Sequence, residues 1–263
     1  MKRLIYQVYI GNRKNLYDTC VDSVKRYCEK YNIEHKVQTK PILKIKPNIF
    51  QNNRPPHITR LGYLPILEKE NAFDLLPEYD QIAIIDSDVY ITENAPNIFD
   101  FIDDKSSFAG VPERDLPLTA EYAQTIRNYS ERHYKDIAGK SGSDFEPNSL
   151  GYEYFNMGVM VLNKSFHNYI NMPVKKWLEK DEFQPFINGY GNWGWTQDQT
   201  LLNWVIRSRK IPFNRLDWKF NALIRAVKKE RISESYFVHF ADQNKLPDRG
   251  ENTQKLLEIA GVR

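Results

Sequence analysis

The sequence predicts an α/β fold with a mixed, mostly parallel central sheet flanked by helices. Short apolar runs of strand length alternate along the chain with longer segments whose apolar residues recur every three or four positions. Such alternation is typical of sheets whose parallel strands are joined by helices packed on both faces. No internal repeat and no linker rich in Gly or Ser interrupts the 263 residues, so we expect a single domain over residues 1–263.

The elements of the first half follow from local patterns. Leu4–Ile10 is an apolar run of strand length, and the residues from there to Tyr31 carry one apolar stripe at helical spacing, with Asn15 as the helix N-cap. A short strand is expected near His35–Gln38. Pro41–His57 is expected to be an irregular loop because it holds four prolines and three asparagines. A helix and a strand complete this half, at Leu61–Leu76 and Gln81–Ile91.

The second half continues the alternation. Apolar runs predict strands, and segments with apolar residues at helical spacing predict helices. The strands are expected at Ser107–Val111, Tyr154–Leu162 and Ser235–Phe240. The helices are expected at Thr119–Asp136, Ser165–Glu179, Asp198–Arg209 and Thr253–Ile259, with a loop at Gly139–Gly151.

The composition narrows the class of protein. Hydrophobic residues make up 41% of the chain and aromatic residues 13%, which is enough for a packed core and too many for a disordered chain. Lys and Arg number 37 against 34 Asp and Glu, and the resulting net charge of +3 favours no nucleic-acid partner. Val205–Arg231 is locally basic, with nine Lys or Arg against Asp217 and Glu230. This stretch is either a solvated face or a surface for an anionic acceptor, a phosphate group or a membrane headgroup.

No segment is predicted to cross a membrane, since no apolar run approaches the roughly 20 residues that a span requires. The start, MKRLIYQVYIG, has too short an apolar part and no small-residue cleavage site for a signal peptide, so we interpret it as the first strand. Cys20 and Cys28 lie on one predicted helix, separated by about 12 Å of rise, which is too far for a disulfide. Two reduced cysteines are typical of a cytoplasmic protein, which is the expected location.

Two aspartates directly follow the most apolar stretch of the predicted strands. Residues 82–85 are followed by Asp86, Ser87 and Asp88. Ligands of open α/β sheets sit at the carboxyl ends of the strands, and residues two apart on an extended chain point to the same side. Two converging carboxylates repel each other unless a cation lies between them, and an oxygen-only pair suits Mg²⁺ or Mn²⁺. The simpler alternative is that one aspartate caps a turn and the other is solvated.

Two classes of enzyme use such a pair. In haloacid-dehalogenase-type phosphatases the first aspartate is a nucleophile, but Thr or Val usually stands two residues after the second, where this chain has Tyr90. Those motifs also lie near the chain start, whereas 85 residues precede Asp86. In nucleotide-sugar-dependent glycosyltransferases a metal bridges the aspartates and the donor diphosphate. The sequence favours this second class.

Four further segments resemble, in order, one family of glycosyltransferases. They are YFNMGVMVLN at Tyr154–Asn163, TQDQTLLN at Thr196–Asn203, LDWKFN at Leu216–Asn221 and VHFADQNKLP at Val238–Pro247. Together with QIAIIDSDVYI they resemble glycosyltransferase family 8, which includes glycogenin and the bacterial lipopolysaccharide galactosyltransferases. The resemblance implies the Rossmann-like GT-A fold, with a nucleotide-binding half over about residues 1–105 and a donor-sugar and acceptor half over about 106–263.

The resemblance also implies a metal cofactor. Asp86, Asp88 and His239 would together hold Mn²⁺, or Mg²⁺, and a neutral imidazole suits Mn²⁺ better. A lone histidine at a strand end is otherwise more often structural. Lys245 would contact the leaving diphosphate. Asp242 stands where the family has glycine, and a carboxylate at that position disfavours diphosphate binding by this loop.

Other residues are implied at the donor. Asn156 and Gly158 interrupt an apolar strand, which either a bulge or a closely approaching donor sugar would explain. In the family, Gln199 lies below the sugar and Asp198 binds its hydroxyls, although Asp198 could merely offset the helix dipole. The donor-binding residues implied by the resemblance are Tyr9, Ile10, Gly11, Arg60, Asp86, Ser87, Asn156, Met157, Gly158 and Lys245.

An aromatic loop is the predicted acceptor site. Residues 188–195, NGYGNWGW, place Tyr190, Trp193 and Trp195 among three glycines. Sugar rings stack on exposed aromatic faces. The alternative is that the tryptophans anchor the loop to the core.

These residues predict a metal-dependent hexosyltransferase that uses a nucleoside diphosphate sugar, with a UDP-sugar favoured, and retains the anomeric configuration. Asp198 and Gln199 are the predicted catalytic residues, and because glutamine is a poor nucleophile, same-face transfer through a short-lived oxocarbenium-like ion pair is favoured. The expected acceptor is a glycan, a lipid-linked molecule or a protein, and peripheral membrane contact stays open. The alternatives are an inverting transferase with Glu153, Asp198 or Asp217 as base, the phosphatase, and a nucleotide-sugar-binding protein without activity.

Overall fold

The structure is a computed structural model that describes residues 1–12, 14–48, 61–141, 145–190, 193 and 198–261, without the side chains of 136–141. Two sheets lie at its centre. Their strands are β1 Arg3–Val8, β2 Glu34–Gln38, β3 Gln81–Ile85, β4 Val89–Ile91, β5 Phe108–Pro112, β6 Phe155–Asn163, β7 Phe213–Arg215, β8 Ala222–Leu223 and β9 Phe237–His239.

The larger sheet has the strand order β2-β1-β3-β6-β5-β7. β1 pairs in parallel with β2 and β3, and β5 pairs in parallel with β7. β6 runs antiparallel to both of its neighbours, β3 and β5. The sheet is therefore mixed and mostly parallel, as predicted, and it joins strands from both predicted halves of the chain.

The smaller sheet has the order β4-β9-β8 and begins where the chain leaves the larger one. The prediction of one strand over Gln81–Ile91 is wrong, because β3 ends at Ile85 and β4 starts a new sheet at Val89. The Val89 N–H donates to the Asp86 carbonyl at 3.1 Å, so the residues between the strands form a turn. β9 pairs antiparallel with β4 and sets His239 across from Val89.

Helices surround the sheets. They are α1 Asn15–Tyr31, α2 Ala120–Ser141, α3 Val174–Leu178, α4 Gln184–Asn188, α5 Asp198–Ser208 and α6 Thr253–Ile259. In α1 the predicted apolar stripe is buried, including the free cysteines Cys20 and Cys28. Asn15 is the first residue of this helix, and Lys14 occupies the N-cap position that we predicted for Asn15. Among the helices described, none is long and apolar enough to span a membrane.

Prolines and local geometry explain most of the remaining differences from prediction. The predicted helix Ser165–Glu179 is a 3-10 segment at Lys164–Tyr169 followed by α3, and Pro173 stands between them, where it disfavours helical backbone before it. The predicted helix Leu61–Leu76 is largely a run of 3-10 turns over Pro65–Glu78. The three residues of β7 are too few to produce a detectable apolar period.

The core lies on both faces of the larger sheet. Along β3, Ile82 and Ile84 pack into one hydrophobic cluster, while Ala83 and Ile85 pack into another on the opposite face. A strand covered on both sides reads as a continuous apolar run, as this one does.

The locally basic stretch does not form one basic face. Its arginines turn to acidic partners from several segments of the chain. The pairs are Arg207 and Arg215 with Glu153, Arg209 with Glu182, Arg225 with Asp242, and Arg231 with Glu234. Most of the positive charge of this stretch is therefore neutralised within the protein, which disfavours a basic surface for an anionic partner.

Candidate active site

Three candidate metal ligands meet where the two sheets separate. Asp86 and Asp88 lie in the turn between β3 and β4, and β9 brings His239 alongside because it pairs with β4. The His239 Nε2 atom lies 3.2 Å from an Asp88 carboxylate oxygen and 3.9 Å from an Asp86 oxygen. One ligand atom from each residue lies within 4.8 Å of the other two. The structure thus brings together the three residues that the sequence analysis named as metal ligands.

The electrostatics of this cluster suit a cation. Burial opposes protonation of His239, yet Asp88 and then Asp86 outweigh it and raise the pKa of the imidazole. Burial opposes ionisation of Asp88, but the facing His239 lowers the pKa of this carboxyl. Two carboxylates and one imidazole supply two oxygen ligands and one nitrogen ligand, a set that fits Mn²⁺.

A chain of hydrogen bonds determines which histidine nitrogen faces the aspartates. The Gly158 backbone N–H donates to Asn156 Oδ1 at 2.9 Å, and since a backbone N–H can only donate, this end of the amide must be the oxygen. Asn221 Nδ2 donates to the same oxygen at 2.8 Å, so Asn221 Oδ1 faces His239 Nδ1, 2.9 Å away. Nδ1 therefore carries a hydrogen, and the neutral ring presents the Nε2 lone pair to the metal-ligand cluster.

Gly158 is explained by the close approach of His239. A Cβ at this position would lie 2.2 Å from His239 Cε1 and 2.6 Å from Nδ1, so no larger residue fits without displacing the ring. The pairing of β6 with β5 also shifts register at this point. Asn156 likewise has protein partners, because its Nδ2 donates to Glu113 at 2.8 Å. Both interruptions of the strand thus have partners within the protein.

Lys69 is a cation of the site that the sequence analysis missed. Its Nζ lies 3.0 Å from Asp86 Oδ1 and 2.8 Å from Asp198 Oδ2, and it donates to the Met157 carbonyl at 2.8 Å. Burial would lower the pKa of this ammonium, but Asp198 and Asp86 raise it, so Lys69 is charged. Lys69 lies in a predicted helix, and no sequence pattern distinguishes it there from an ordinary surface lysine. Arg60, which was predicted near these aspartates, lies outside the described residues.

Beside Lys69, the carboxyl of Glu70 is fully buried. Neither of its oxygens has a hydrogen-bond partner in the part of the chain that the structure describes. Burial and then the Asp198 charge raise the pKa of Glu70 well above its usual value. Burial also raises the pKa of Asp198, although Lys69 opposes this. Asp198, the predicted ligand of sugar hydroxyls, is only 2% exposed and is an ion-pair partner of Lys69.

Gln199 and Glu113 face each other on the floor of the site. Gln199 makes two long hydrogen bonds of 3.4 Å, one from the Met157 N–H and one to Glu113. Glu113 also accepts from Tyr154 at 2.9 Å, and burial raises its pKa despite these donors. Glu113 was not among the residues predicted from the sequence either. It directly follows β5, so the rule that ligand-binding residues follow parallel strands would have found it.

Two adjoining cavities meet at the metal-ligand cluster. The smaller, of about 190 Å³, is lined by Val8, Tyr17 and Ser87 among others. The larger, of about 430 Å³, is lined by the predicted donor-sugar residues and by one face of α2. Both contain Lys69 and the carboxylates at 86 and 88. The predicted donor-sugar and metal residues in the larger one are Asp86, Asp88, Asn156, Met157, Gly158, Asp198, Gln199, His239 and Lys245.

Comparison with known families identifies the family of this chain. Residues 13–246 match the family model described as glycosyl transferase family 8. The chain belongs to glycosyl transferase family 8. The resemblance seen in five short segments is thereby confirmed, the protein is a glycosyltransferase, and the phosphatase alternative is wrong.

Solved glycosyltransferases share the fold of this family 8 member. A glycosyltransferase involved in the glycosylation of the major capsid of the virus PBCV-1 is 16% identical with a TM-score of 0.56, over 98% of this chain and 100% of that one. The galactosyltransferase LgtC, in complex with donor and acceptor sugar analogues, is 14% identical with a TM-score of 0.51, over 98% and 95%. Mouse xyloside xylosyltransferase 1 is 12% identical with a TM-score of 0.50, over 94% and 100%. These likenesses confirm the predicted GT-A fold. No curated protein sequence gave a significant match.

The residues predicted to bind the nucleotide do not all lie at the smaller cavity of this family 8 protein. Ser87 lines the smaller cavity as predicted, but the neighbouring wall comes from Val8 and Tyr17. Tyr9 is turned into the protein, where its hydroxyl accepts from the Lys14 N–H at 2.6 Å and its ring packs edge-on against Tyr17. Ile10 and Gly11 do not line either cavity, as far as the described residues define them.

The loop after β9 keeps the backbone shape that the family's glycine would allow. Asp242 has φ 60° and ψ 49°, the left-handed conformation that glycine adopts most easily. Its carboxylate lies 3.2 Å from both Arg225 and Lys245, so its charge is matched by two cations. Lys245 is exposed at the rim of the larger cavity.

The predicted acceptor loop is not brought to the cavities by its described residues. Trp193 stacks on Phe186 at 4.7 Å between ring centroids, with 29° between the planes, and its Nε1 donates to the His133 carbonyl at 3.5 Å. Tyr190 is 39% exposed and lines neither cavity. Trp195 lies outside the described residues. Trp193 therefore anchors the loop to the core, which was the alternative reading of its sequence.

Two of the three carboxylates considered as an inverting base lie away from the cavities. Glu153 is buried among three arginines, and its carboxylate lies 2.7 Å from Arg114 and 2.5 Å from both Arg207 and Arg215. Asp217 is exposed and accepts from the Lys219 N–H at 2.9 Å. Asp198 is the member of this group that lines the larger cavity.

Proposed function

We propose that this family 8 protein is a metal-dependent transferase that moves a hexose from a nucleoside diphosphate sugar, with a UDP-sugar favoured, to a glycan with retention of configuration. The observation that carries the proposal is the position of Asp86, Asp88 and His239 at the junction of two cavities. A diphosphate held at this junction would direct its nucleoside into the smaller cavity and its sugar into the larger one, against Gln199.

The side chains suit the separation of charge in such a transfer. Asp86, Asp88 and His239 Nε2 would hold Mn²⁺ or Mg²⁺, which offsets the charge that develops on a leaving diphosphate. Lys69 keeps Asp86 in place through its buried ion pair. Among the described residues, the Lys245 ammonium pairs only with Asp242, and this exposed ion pair costs little to exchange for a phosphate oxygen.

Retention is supported by the side chains available near the donor sugar. Gln199 offers an amide, which is a poor nucleophile, and the Asp198 carboxylate is committed to Lys69. Glu113 already accepts hydrogen bonds from Tyr154, Asn156 and Gln199. A covalent intermediate is therefore disfavoured. Attack by the acceptor hydroxyl on the same face of the sugar from which the diphosphate departs fits these groups better. The Gln199 amide oxygen would then stabilise the positive charge that develops on the sugar.

Thermal unfolding with nucleotides tests the proposal. UDP and UDP-hexoses should raise the melting temperature in the presence of Mn²⁺ and much less in the presence of a chelator. Asp88→Asn should remove this metal-dependent shift, whereas Asp104→Asn, an exposed aspartate away from the cavities, should retain it. If no nucleoside diphosphate and no sugar derivative shifts the melting temperature with either Mn²⁺ or Mg²⁺, the proposal is wrong.

The configuration of the product tests the stereochemical part. The anomeric proton coupling of the glycoside, measured by NMR, should show the same configuration as the donor. The opposite configuration would establish inversion, with Asp198 as the predicted base that lines the cavity. Nucleotide binding without any turnover of UDP-hexoses would favour a binding protein over an enzyme.

A further inference from the structure

The larger cavity has a wall that the donor residues do not explain. It consists of Tyr122, Thr125, Ile126 and Tyr129, all from α2. Residues spaced three and four apart lie on the same face of a helix, so these four form one continuous strip. The same cavity contains Gln199 and the metal-ligand cluster, and this wall is therefore within the space where a donor sugar would react.

The strip has the chemistry of a carbohydrate-binding surface. Tyr129 is fixed, because its hydroxyl lies 3.2 Å from Thr200 Oγ1 and its ring centroid lies 5.4 Å from that of Tyr154. Tyr122 is half-buried, and its hydroxyl makes no hydrogen bond within the described ranges of the chain. Thr125 is exposed to the cavity. An aromatic face with an available hydroxyl can pack against the C–H groups of a sugar and bond its hydroxyl groups.

The charged groups nearest the strip already have partners, which suits a neutral ligand. Burial, then the negative charges of Glu113 and Asp242, raise the pKa of Tyr122, so its phenol stays neutral. Arg225, the cation that opposes these acids at Tyr122, is already paired with Asp242. Glu113 lines the same cavity but already accepts hydrogen bonds from Tyr154, Asn156 and Gln199.

We propose that this strip of α2 is the acceptor subsite and that it takes a neutral sugar residue of a glycan. The inference rests on the proposed function, because the donor sugar must occupy the neighbouring space at Gln199. Transfer would break the bond between the anomeric carbon and the diphosphate oxygen and form a bond from that carbon to an acceptor hydroxyl oxygen. The diphosphate keeps the electron pair and receives the hydroxyl proton. Holding both sugars in one cavity supplies the proximity that this step requires.

Saturation-transfer NMR on the full chain with Mg²⁺ and UDP tests the subsite. The probes are the methyl glycosides of galactose, glucose and mannose, and at least one should receive saturation from the protein. Tyr122→Ala should weaken its binding by about tenfold or more. Thr125→Trp should abolish binding by filling the cavity from an exposed position, where a large side chain costs little stability. Gln124→Trp adds the same bulk at an exposed position that does not line the cavity, and it should bind normally.

Three results would overturn the inference. One is that no glycoside binds to a protein that UDP and Mg²⁺ stabilise. Another is that glycosides bind equally well to wild type, Tyr122→Ala and Thr125→Trp. The third is that Tyr190→Ala removes binding while the α2 substitutions do not, which would place the acceptor at the aromatic loop. A wild-type protein that no nucleotide stabilises contradicts the proposed function, and the assignment of the strip as an acceptor subsite then fails with it, even if glycosides bind there.

Discussion

Single residues set the charge balance of the site, and Lys69 is the clearest case. Its ammonium lies within 3.0 Å of both Asp86 and Asp198. A buried ion pair adds little net stability, because the attraction roughly repays the loss of water from the two charges. Removal of one partner is costly because the other charge remains buried without compensation. Lys69 therefore supplies a compensating positive charge to two acids at the edge of an apolar sheet.

Substitution of Lys69 by Met is expected to lower the free energy of unfolding by about 3–5 kcal/mol, because it leaves Asp198 buried and unpaired. The double variant Lys69→Met with Asp198→Asn should recover most of that loss. Urea unfolding in a chelating buffer measures all three proteins, with Lys25→Met as the exposed control. A single substitution as stable as wild type would mean that the ion pair does not form.

Among the elements, β6 does most to build the site. The Gly158 carbonyl accepts from the Asp86 N–H at 2.8 Å, and the Gly158 N–H bonds Asn156. Its missing side chain leaves the space that His239 occupies. One short stretch of main chain thus positions the turn after β3 and the residue at the end of β9.

Gly158→Ala is expected to weaken Mn²⁺ binding by about tenfold or more, because the added methyl group displaces His239. It should also lower the free energy of unfolding by about 1–3 kcal/mol through overpacking. Electron paramagnetic resonance of free Mn²⁺ measures the first effect, and urea unfolding measures the second.

Met160→Ala, in the same strand, is the control. It should destabilise the protein by about 2–5 kcal/mol through a cavity in the core and leave the Mn²⁺ affinity unchanged. Equal metal affinity in wild type and Gly158→Ala would contradict the assigned role of Gly158.

Across the whole molecule, the fold collects acidic groups at one edge of the sheet. Two of them, Glu70 and Glu113, are buried, and burial raises the pKa of each. A carboxyl whose pKa is higher in the folded protein than in the unfolded chain stabilises the fold while it remains protonated. That contribution is lost as the pH rises from the unfolded value towards the folded one.

Stability should therefore fall as the pH rises above the ordinary glutamate pKa. For Glu70 the decrease is at most about 1.4 kcal/mol per pH unit, since the unfolded chain loses a proton that the folded protein retains. Urea unfolding between pH 5 and pH 8, with a chelator present, measures the slope. Glu70→Gln should reduce the slope, whereas Glu78→Gln, at an exposed position, should not. An unchanged slope in Glu70→Gln would show that Glu70 is ionised throughout.

Much of the order of elements was predictable because it depends on local information. Apolar periodicity indicated β1, α1 and most of the sheet, and the Asp86–Asp88 motif indicated two candidate metal ligands. His239, the third candidate, was predicted through the resemblance to the family. The break between β3 and β4 was hidden because both sides are apolar and β-forming.

Lys69, Glu70 and Asn221 were not predictable from their surroundings in sequence. Lys69 and Asn221 owe their roles to partners that lie between 17 and 129 positions away, and a lysine, a glutamate or an asparagine alone carries no sign of burial. Gly158 is visible in the sequence as a glycine that interrupts an apolar strand. The group that approaches it, His239, is identified only by the fold.

The hydrogen-bond order that begins at the Gly158 N–H has a consequence for how this protein can diversify. The Gly158 N–H can only donate, so the main chain fixes the direction of the hydrogen bonds that reach His239 through Asn156 and Asn221. Changes to the cavity walls, including the strip on α2, can alter which sugars fit without altering the nitrogen that His239 offers. Under the proposed function, sugar preference and metal chemistry can therefore change independently.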